Sequence, residues 1–339
     1  MIEIRHNESL KPYNTFGIDE KAKFFCEVDS DEQFSELIQS GQISPQPMLL
    51  LGGGSNILFT GDVERLVVKM NILGKEILFH DEEAALVRVA AGENWDDLVA
   101  WSLEQGFNGL ENLSLIPGNV GSSPIQNIGA YGVEVKEFIK EVEVIYLADG
   151  HRQMLRHKEC GFGYRDSIFK NELKGKVAIL AVTFRLNKSK NLHMAYGAIS
   201  HELEEMGIAS PTSSEVREAV CRIRRSKLPD PAILGNAGSF FKNPTVSTQI
   251  YNPLLLKFPA LPAYPQANGS YKLAAGWLIE QCGWKGIRVG DAGVHIAQAL
   301  VLVNYGAATG KEILTLATEI QQSVHAKFGI KLEMEVNIL

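Results

Sequence analysis

The stretch that decides the fold is Pro117-Gly-Asn-Val-Gly-Ser-Ser-Pro-Ile-Gln-Asn-Ile-Gly-Ala-Tyr-Gly132. Its composition predicts a long ordered loop, because glycine permits left-handed backbone angles and close approach of a ligand. Its short polar side chains are Ser122, Ser123, Gln126 and Asn127, and its apolar ones include Ile125 and Ile128. Such a cradle suits a ligand that carries both phosphate and a flat ring, as a nucleotide or a flavin does. A plain connection between strands is the alternative.

A second glycine segment, Gly52-Gly-Gly-Ser-Asn56, follows the strand-like run Met48-Leu-Leu-Leu51. Bare backbone at the end of a buried strand places N–H donors where a pyrophosphate can bind. The segment lacks the dinucleotide-binding fingerprint, because its glycines are consecutive and do not open a helix. We expect the two glycine segments, although distant in sequence, to converge on one ligand.

The overall composition favours small-molecule partners. The chain has 339 residues, 45% hydrophobic and 22% charged, which is typical of a soluble protein with two or three domains. Its net charge of -7 argues against nucleic-acid binding. The start of the chain lacks a leader-like apolar core, and no apolar run is long enough to span a bilayer. The four cysteines and eight histidines show no metal-ligand spacing, so we expect a cytoplasmic protein without a metal.

Runs of strands with few helices between them predict an α+β fold rather than a doubly wound parallel sheet. The clearest predicted helices are 92–103, 215–225 and 272–282, and residues 235–244 are predicted to form a glycine turn. The sequence texture changes near residue 205. We therefore expect domains at 1–70, 71–205 and 206–339, with a final strand at 331–338 returning to the active site.

Three positions stand out as candidates for chemistry. Arg165 lies in a predicted turn, where its guanidinium suits a carboxylate or an enolate; a pair with Asp166 is the alternative. Ser239 follows a glycine turn outside any G-x-S-x-G elbow, and an ordinary turn serine is the alternative. Glu333 and Glu335 lie two apart on the last predicted strand, where either lines a cleft or faces solvent.

Seven motifs, in order along nearly the whole chain, resemble the UDP-N-acetylenolpyruvoylglucosamine reductase (MurB) family, in its type I branch. They are Asn14–Ile18, Gly52–Leu58, Ile116–Gly132, Gly163–Phe169, Lys227–Pro231, Gly238–Pro244 and Leu332–Val336. The resemblance implies non-covalent FAD in two α+β subdomains of the vanillyl-alcohol-oxidase (PCMH-like) class, followed by a C-terminal α+β substrate-binding domain. It also implies NADPH-dependent reduction of UDP-N-acetylglucosamine enolpyruvate to UDP-N-acetylmuramate, in peptidoglycan precursor synthesis, by a cytoplasmic monomer.

The resemblance also implies residue roles. Arg165 and Glu335 would stabilise the enolate of the substrate, and Ser239, activated by neighbours such as Lys227, would protonate it. The implied FAD contacts are Gly52, Gly53, Gly54, Ser55, Asn56, Pro117, Gly118, Gly121, Ser122, Ser123, Ile125, Gln126, Asn127, Ile128, Gly129 and Arg224. The implied substrate contacts are Tyr164, Tyr196, Lys227 and Asn243.

Two positions depart from the family pattern. Gly53 stands where related chains often carry glutamate, and Asn337 stands where a basic residue is expected, which questions a C-terminal flavin contact. Two other functions are compatible with the fold class. One is a flavin oxidase that uses oxygen; the other is an idle UDP-sugar-binding protein, which would not need the three candidate catalytic motifs.

Overall fold

The computed structural model describes residues 2–40, 48–189, 192–194 and 196–339. The chain divides into two compact units. Unit 1 comprises Met1–Glu8, Ala22–Gly54 and Val63–Ser226, and unit 2 comprises Ser9–Lys21, Ser55–Asp62 and Lys227–Leu339. The second glycine segment is thus split between the two units after Gly54. The three successive domains expected from the sequence stay a prediction.

The described residues form strands and helices throughout the chain. The strands are β1 (Arg5–Ser9), β2 (Lys21–Val28), β3 (Leu49–Leu51), β4 (Ile57–Leu58), β5 (Val63–Met70), β6 (Lys75–His80), β7 (Ala84–Ala90), β8 (Gly129–Ala130), β9 (Val133–Glu134), β10 (Ile139–Tyr146), β11 (Arg152–Arg156), β12 (Val177–Asn187), β13 (Gly235–Ser239), β14 (Thr245–Val246), β15 (Ala263–Pro265), β16 (Tyr271–Leu273), β17 (Arg288–Val289), β18 (Ala292–Val294), β19 (Val301–Asn304) and β20 (Asn337–Ile338). The α-helices are α1 (Asp31–Gln39), α2 (Trp95–Glu104), α3 (Gly197–Glu205), α4 (Ser213–Lys227), α5 (Thr248–Lys257), α6 (Ala275–Gln281) and α7 (Gly310–Phe328).

Unit 1 contains two larger sheets. One has the strand order β1-β2-β5-β3, with β2 and β3 parallel to β5. The other has the order β11-β10-β12-β7-β6, and each neighbouring pair is antiparallel. Val28 and Val68 of the first sheet share one buried cluster with Ile145 and Leu180 of the second. Burial of this apolar surface stabilises β3, at whose end the three glycines begin.

A second core of unit 1 anchors the long glycine loop. Trp95 of α2 and Phe184 of β12 meet edge to face, with ring centroids 6.0 Å apart. Val120 and Ile128, two apolar residues of the loop, are buried in the same cluster. The loop is therefore held by its apolar side chains, which are in the core of the unit.

Unit 2 is built around the sheet β13-β19-β18-β17. The helix α7 begins at the capping box of Thr309 and Glu312 and ends at Gly329, whose φ of 69° is left-handed. The first residue of α7, Gly310, packs directly against Phe59, since a Cβ on Gly310 would lie 1.7 Å from the carbonyl oxygen of Phe59. The strand β20 runs parallel to β4 and so returns the end of the chain to residues 57–58.

Several predicted elements are confirmed and three are wrong in part. Helices occur at α2 and α4 as expected. The predicted helix 272–282 starts instead at Ala275, because residues 271–273 pair as β16 between β14 and β15. Residues 235–239 form β13 rather than a turn, because they pair with β19. The predicted strand 331–338 is reduced to one bridge at Met334 and the short β20.

Within the described residues, none of the helices combines the length and the apolar character needed to cross a bilayer.

Candidate active site

The two glycine segments lie against each other in unit 1. Gly52 and Gly53 directly follow β3, and a Cβ on Gly53 would lie 2.6 Å from Oδ1 of Asn119 and 2.9 Å from Cα of Gly118. The side chain of Asn119 is itself fixed, because its Nδ2 donates to the carbonyl oxygen of Gly92 over 2.5 Å. The expected convergence of the segments is therefore present. It leaves no room for a side chain at position 53 unless the neighbouring backbone shifts.

The turn at residues 120–122 is locked onto the strand end beside it. The N–H of Val120 donates to the carbonyl oxygen of Glu93, and the N–H of Gly121 to that of Ala91, both over 2.9 Å. A Cβ on Gly121 would lie 2.5 Å from Cβ of Ala91. Glycine at 121 is thus required by close packing, which brings bare backbone to the surface of the cradle.

Several polar side chains of the loop brace it from within. The buried Ser123 donates through Oγ to the carbonyl oxygen of Val120 over 2.8 Å. The fully buried Asn127 donates through Nδ2 to the carbonyl oxygen of Gly163 over 2.8 Å and accepts the N–H of Lys136 over 3.1 Å. A contact of Ser123 or Asn127 with a ligand would therefore come from the backbone.

The remaining predicted loop residues differ in exposure. Ser122 is half-buried and donates through Oγ to the carbonyl oxygen of Asn119 over 2.7 Å. Ile125 is 39% exposed and Gln126 is half-buried, whereas Ile128 belongs to the core. Pro117, Gly118 and Gly129 are half-buried or exposed, and Gly118 has a φ of 121°. In the middle of the loop, the exposed side chain is therefore that of Ile125, between the buried Pro124 and the half-buried Gln126.

Arg165 is directed at the same loop. Its Nη2 donates to the carbonyl oxygen of Gly129 over 2.5 Å and its Nη1 to that of Asn127 over 3.3 Å. Its guanidinium carbon lies 5.5 Å from the ring centroid of Tyr164. The backbone φ of 53° is uncommon for a residue with a side chain, and such strain concentrates at functional sites. Asp166, its alternative partner in the sequence analysis, accepts the N–H of Ser167 over 3.0 Å.

A polar network that the sequence analysis missed holds the start of the loop. Leu115 has a φ of 55°, and its N–H donates to Oδ1 of Asp96 over 2.6 Å. Oδ2 of Asp96 accepts from Arg217 of α4 over 3.0 Å, and the carbonyl oxygen of Leu115 accepts from Arg224 over 3.2 Å. The only sequence signal was an acidic residue in the first turn of α2, which is common at helix starts.

Arg224 has a donor that suits an anion. Its Nε is shielded from solvent and has no hydrogen-bond partner among the described residues. Burial lowers the pKa of Arg224, while the nearby Tyr131 acts in the opposite direction. For Tyr131, burial disfavours the charged form as well: it raises the pKa of the phenol, which therefore stays neutral. A buried cationic donor without a partner is costly, and a phosphate oxygen would satisfy it. Nε of Arg224 and the backbone of the two glycine segments are therefore suited to the phosphates of a flavin dinucleotide in unit 1.

Tyr196 immediately precedes α3 and is 46% exposed. Its ring meets that of Tyr131 edge to face, with centroids 5.3 Å apart and an interplanar angle of 88°. Tyr131 also packs against the small core formed by α3 and α4. Tyr196 therefore lies in unit 1 beside Tyr131, the residue that interacts with Arg224.

In unit 2, the structure brings the segments of Ser239 and Glu335 together. Phe241 forms a bridge with Met334, and the N–H of Glu335 donates to the carbonyl oxygen of Phe240 over 2.8 Å. Ser239 is the exposed last residue of β13, one residue before the fully buried Phe240. Two residues far apart in sequence are thus carried on directly hydrogen-bonded backbone segments.

Glu333 and Glu335 have different surroundings. The carboxylate of Glu333 is 71% exposed and bonds to Nζ of Lys242 over 2.5 Å. The carbonyl oxygen of Glu335 accepts from Nδ2 of Asn56 over 3.3 Å. The carbonyl oxygen of Asn56 in turn accepts from the N–H and Nδ2 of Asn337, over 3.1 and 2.9 Å. The end of the second glycine segment is therefore joined, through Asn56, to the backbone around Glu335 and to Asn337, the first residue of β20.

Two further predicted residues lie in unit 2. Lys227 is exposed at the last residue of α4. Asn243 accepts the N–H of Ala275 through Oδ1 over 2.9 Å, at the start of α6. Across the residues that the structure describes, no group of three or more His, Cys, Asp and Glu side chains is arranged to hold a metal ion.

Comparisons with known proteins agree with this architecture. The profile of the FAD binding domain matches residues 22–156, and that of the UDP-N-acetylenolpyruvoylglucosamine reductase C-terminal domain matches residues 230–339. The reductases of that name from Chromobacterium violaceum and Pseudomonas aeruginosa are 51% and 50% identical to this chain; the matches cover 100% and 99% of it, and 99% of each relative. The crystal structure of the reductase (MurB) from Thermus caldophilus aligns with a TM-score of 0.68 at 25% identity, covering 100% of this chain and 99% of that one.

These matches confirm a mixed α+β fold with an FAD-binding part and a distinct C-terminal domain. They extend over essentially the full length of the relatives, so no large part of either chain is left unmatched. The chain belongs to the UDP-N-acetylenolpyruvoylglucosamine reductase family.

Proposed function

We propose that this chain catalyses the NADPH-dependent reduction of UDP-N-acetylglucosamine enolpyruvate to UDP-N-acetylmuramate, a step in making the peptidoglycan precursors on which cell shape and division depend. Family membership over the whole length supports the reaction class. The observation that carries the residue assignment is the pairing that sets Glu335 beside the segment of Ser239.

The residues of unit 1 are suited to hold FAD. Gly52–Gly54 and Gly118–Gly121 would bind its pyrophosphate through the backbone, and the loop as far as Gly129 would contact its ring. Arg224 supplies the buried donor for a phosphate oxygen. When bound, FAD supplies hydride transfer, taking hydride from NADPH and giving it to the terminal carbon of the enolpyruvyl ether. Neither glycine segment contains His or Cys, which supports non-covalent binding.

Arg165 and Glu335 are assigned to the charge that develops on the substrate. Addition of hydride to the terminal carbon leaves carbanion character next to the carboxylate, in effect an enolate. Arg165 would bind the carboxylate oxygens, and its bonds to the loop carbonyl groups hold the guanidinium in place before the reaction. Glu335 would share a hydrogen bond with the enolate. Preorganised groups of this kind contribute on the order of several kcal/mol to a transition state.

Ser239 is assigned as the donor of the proton to the substrate carbon. A serine hydroxyl is a weak acid in water, so a neighbouring cation is needed, and Lys227 is the residue proposed for that task. Ser239 is exposed in unit 2, which leaves its hydroxyl accessible to a substrate. Tyr164, Tyr196 and Asn243 are proposed to contact the UDP-sugar, with Tyr196 near its diphosphate.

We infer that the reaction takes place in the cytoplasm and that one chain supplies every residue assigned to it. The four cysteines are free, and three of them are buried, which supports a reducing compartment. Burial raises the pKa of Cys26 to about 11 and that of Cys160 to about 12, so these thiols are unreactive packing residues.

The proposal is tested by separating the two half-reactions without oxygen. The purified protein should show a flavin absorbance spectrum, lose it on addition of NADPH, and regain it on addition of the enolpyruvyl sugar. Ser239→Ala should leave reduction by NADPH unchanged and slow the sugar-dependent reoxidation roughly 10² to 10⁴-fold, since it removes only the proton donor.

The matched control is Ser247→Ala, because Ser247 is exposed in unit 2 and its side chain makes no capping bond to α5. Equal slowing of both half-reactions by Ser239→Ala would remove Ser239 from its role. Sustained NADPH consumption with oxygen and no sugar would indicate an oxidase, and colourless protein that binds UDP-sugar would indicate an idle binding protein.

A further inference from the structure

Asn236 is a buried polar residue of β13, 4% exposed, to which the proposed function gives no role. Its Nδ2 donates to the carbonyl oxygen of Pro229 over 3.1 Å and to that of Leu234 over 2.8 Å. Its Oδ1 accepts the N–H of Gly238 over 2.9 Å. The side-chain amide therefore uses both of its N–H donors and its oxygen on the backbone around it.

The backbone that Asn236 holds lies between two residues of the proposed protonation step. Lys227 is two residues before Pro229, and Ser239 directly follows Gly238. All five residues belong to unit 2. One buried side chain thus fastens the segment that follows the proposed cation to the residue before the proposed proton donor.

The strand β13 also contains a bulge at this point. Asn236 is paired with Val303 of β19. Ser239, three residues later, is paired with Val301, which is only two residues from Val303. Gly238, between the two pairs, has a left-handed φ of 68° and bonds through its N–H to Asn236.

The bulge determines the direction of the hydroxyl of Ser239. In a regular strand pair, Gly238 would lie opposite Val301 and Ser239 would be one position further along. Because successive side chains of a strand point to opposite faces, that shift would turn the hydroxyl to the other face of the sheet. Bulges beside active sites re-aim side chains in this way. The bond from Gly238 to Asn236 therefore helps to aim Ser239.

We propose that Asn236 is a positioning residue for the protonation of the substrate, because its amide maintains the bulge before Ser239 and holds Pro229, next to the segment of Lys227. This role depends on those that the proposed function gives to Ser239 and Lys227. Asn236 acts through them, since its own amide is buried and engaged with the backbone. A displacement of about 1 Å at a reacting group can cost roughly 10²-fold in rate.

Asn14 offers a matched control in the same unit. It is 7% exposed, and its Nδ2 donates to the carbonyl oxygens of Leu10 and Ile18 over 2.7 and 2.9 Å. Its Oδ1 accepts the N–H of Ile18 over 3.0 Å. Asn14 and Asn236 therefore make the same set of bonds to the backbone, but residues 10–18 include none that is assigned to the reaction.

The experiment measures both half-reactions of the flavin-loaded protein by anaerobic stopped flow. Asn236→Ala should slow the reoxidation by the enolpyruvyl sugar about 10 to 10²-fold and leave reduction by NADPH unchanged. Asn14→Ala should lower the melting temperature by a similar amount and leave both half-reactions unchanged. If Asn236→Ala is reoxidised as fast as Asn14→Ala, Asn236 has only a structural role and the proposal is overturned.

A double variant separates this role from the proposed function on which it depends. Ser239→Ala has already lost the proton donor, so adding Asn236→Ala should slow reoxidation less than about twofold further. A full additional loss would show that Asn236 does not act through Ser239. Normal reoxidation of Ser239→Ala alone would refute the role of Ser239 as well. Normal reoxidation of Asn236→Ala beside a slow Ser239→Ala would refute only the role of Asn236.

Asn236→Asp gives a second measurement should Asn236→Ala fail to fold. The new carboxyl group still accepts the N–H of Gly238, but it donates to Pro229 or Leu234 only while it is protonated. Burial beside carbonyl oxygens raises the pKa of such a group. The reoxidation rate relative to the wild type should therefore be highest at low pH and fall as the pH rises, whereas Asn14→Asp should show no such dependence. Identical pH profiles for the two variants would contradict the proposal.

Discussion

The candidate residues of unit 1 and of unit 2 are held in place by different means. In unit 1, the loop is shaped by glycines without room for a Cβ and by positive φ angles at Leu115, Asn127 and Arg165. In unit 2, Ser239 and Glu335 are carried by two backbone segments that are joined by a strand bridge and by the hydrogen bond from Glu335 to Phe240. Unit 1 should therefore be sensitive to added volume and to loss of backbone anchors. The candidate site residues of unit 2, Ser239 and Glu335, should be sensitive mainly to the chemical identity of their side chains.

The largest expected effect is chemical and lies in unit 2. Glu335→Gln should slow the sugar-dependent reoxidation roughly 10² to 10⁴-fold while leaving FAD affinity unchanged, because it alters a reacting group and no flavin anchor. Glu333→Gln is the control on the same segment. Because the Glu333 carboxylate is solvated, this substitution should change the reoxidation rate less than about twofold. The measurement is stopped-flow reoxidation of the reduced protein. Equal effects at the two positions would contradict the comparison.

Arg165→Met should affect both chemistry and cofactor binding. The variant loses the substrate carboxylate contact and also the bonds to the carbonyl oxygens of Asn127 and Gly129. We expect slow reoxidation together with an FAD dissociation constant raised about tenfold. Fluorescence titration of the FAD-free protein measures the constant, with the exposed Arg185→Met as control. Unchanged FAD affinity would show that Arg165 does not help to shape the loop.

Gly121→Ala should destabilise unit 1 by about 1–3 kcal/mol, because the new Cβ meets Ala91 and the packing there must shift. Gly197→Ala is the matched control, since nothing lies within 4 Å of a Cβ at that helix start. Thermal unfolding and flavin content are the measurements. If both variants melt like the wild type, the close approach of the loop to Ala91 is not what holds it.

The smallest expected effect concerns the network around Leu115. Asp96→Ala should cost about 1–2 kcal/mol more than Asp97→Ala, because only Asp96 bonds to the N–H of Leu115 and to Arg217. Asp97 is exposed in the same first turn of α2, so both variants lose the same favourable charge at a helix N-terminus. Urea unfolding measures the difference. Equal losses would mean that α2 does not anchor the loop.

Local pattern predicted α2 and α4, because capping residues and apolar periodicity act within a few residues. It failed at residues 272–282, where pairing with β14 and β15 places the first two residues in a strand. It also failed at β13, whose glycines suggest a turn until β19 pairs with them. These errors share one cause, since a strand is stabilised by a partner that lies elsewhere in the sequence.

The sequence by itself determined the glycine segments, the identity of Arg165, Ser239 and Glu335, and, through the order of the motifs, the family. These properties depend on residue type, and residue type is what a sequence records. Only the tertiary structure decided that Gly53 meets Gly118, that Asp96 and Arg224 hold Leu115, and that Glu335 pairs beside the segment of Ser239. Each of these contacts joins distant residues, and the packing of the whole unit, rather than any local preference, makes it favourable.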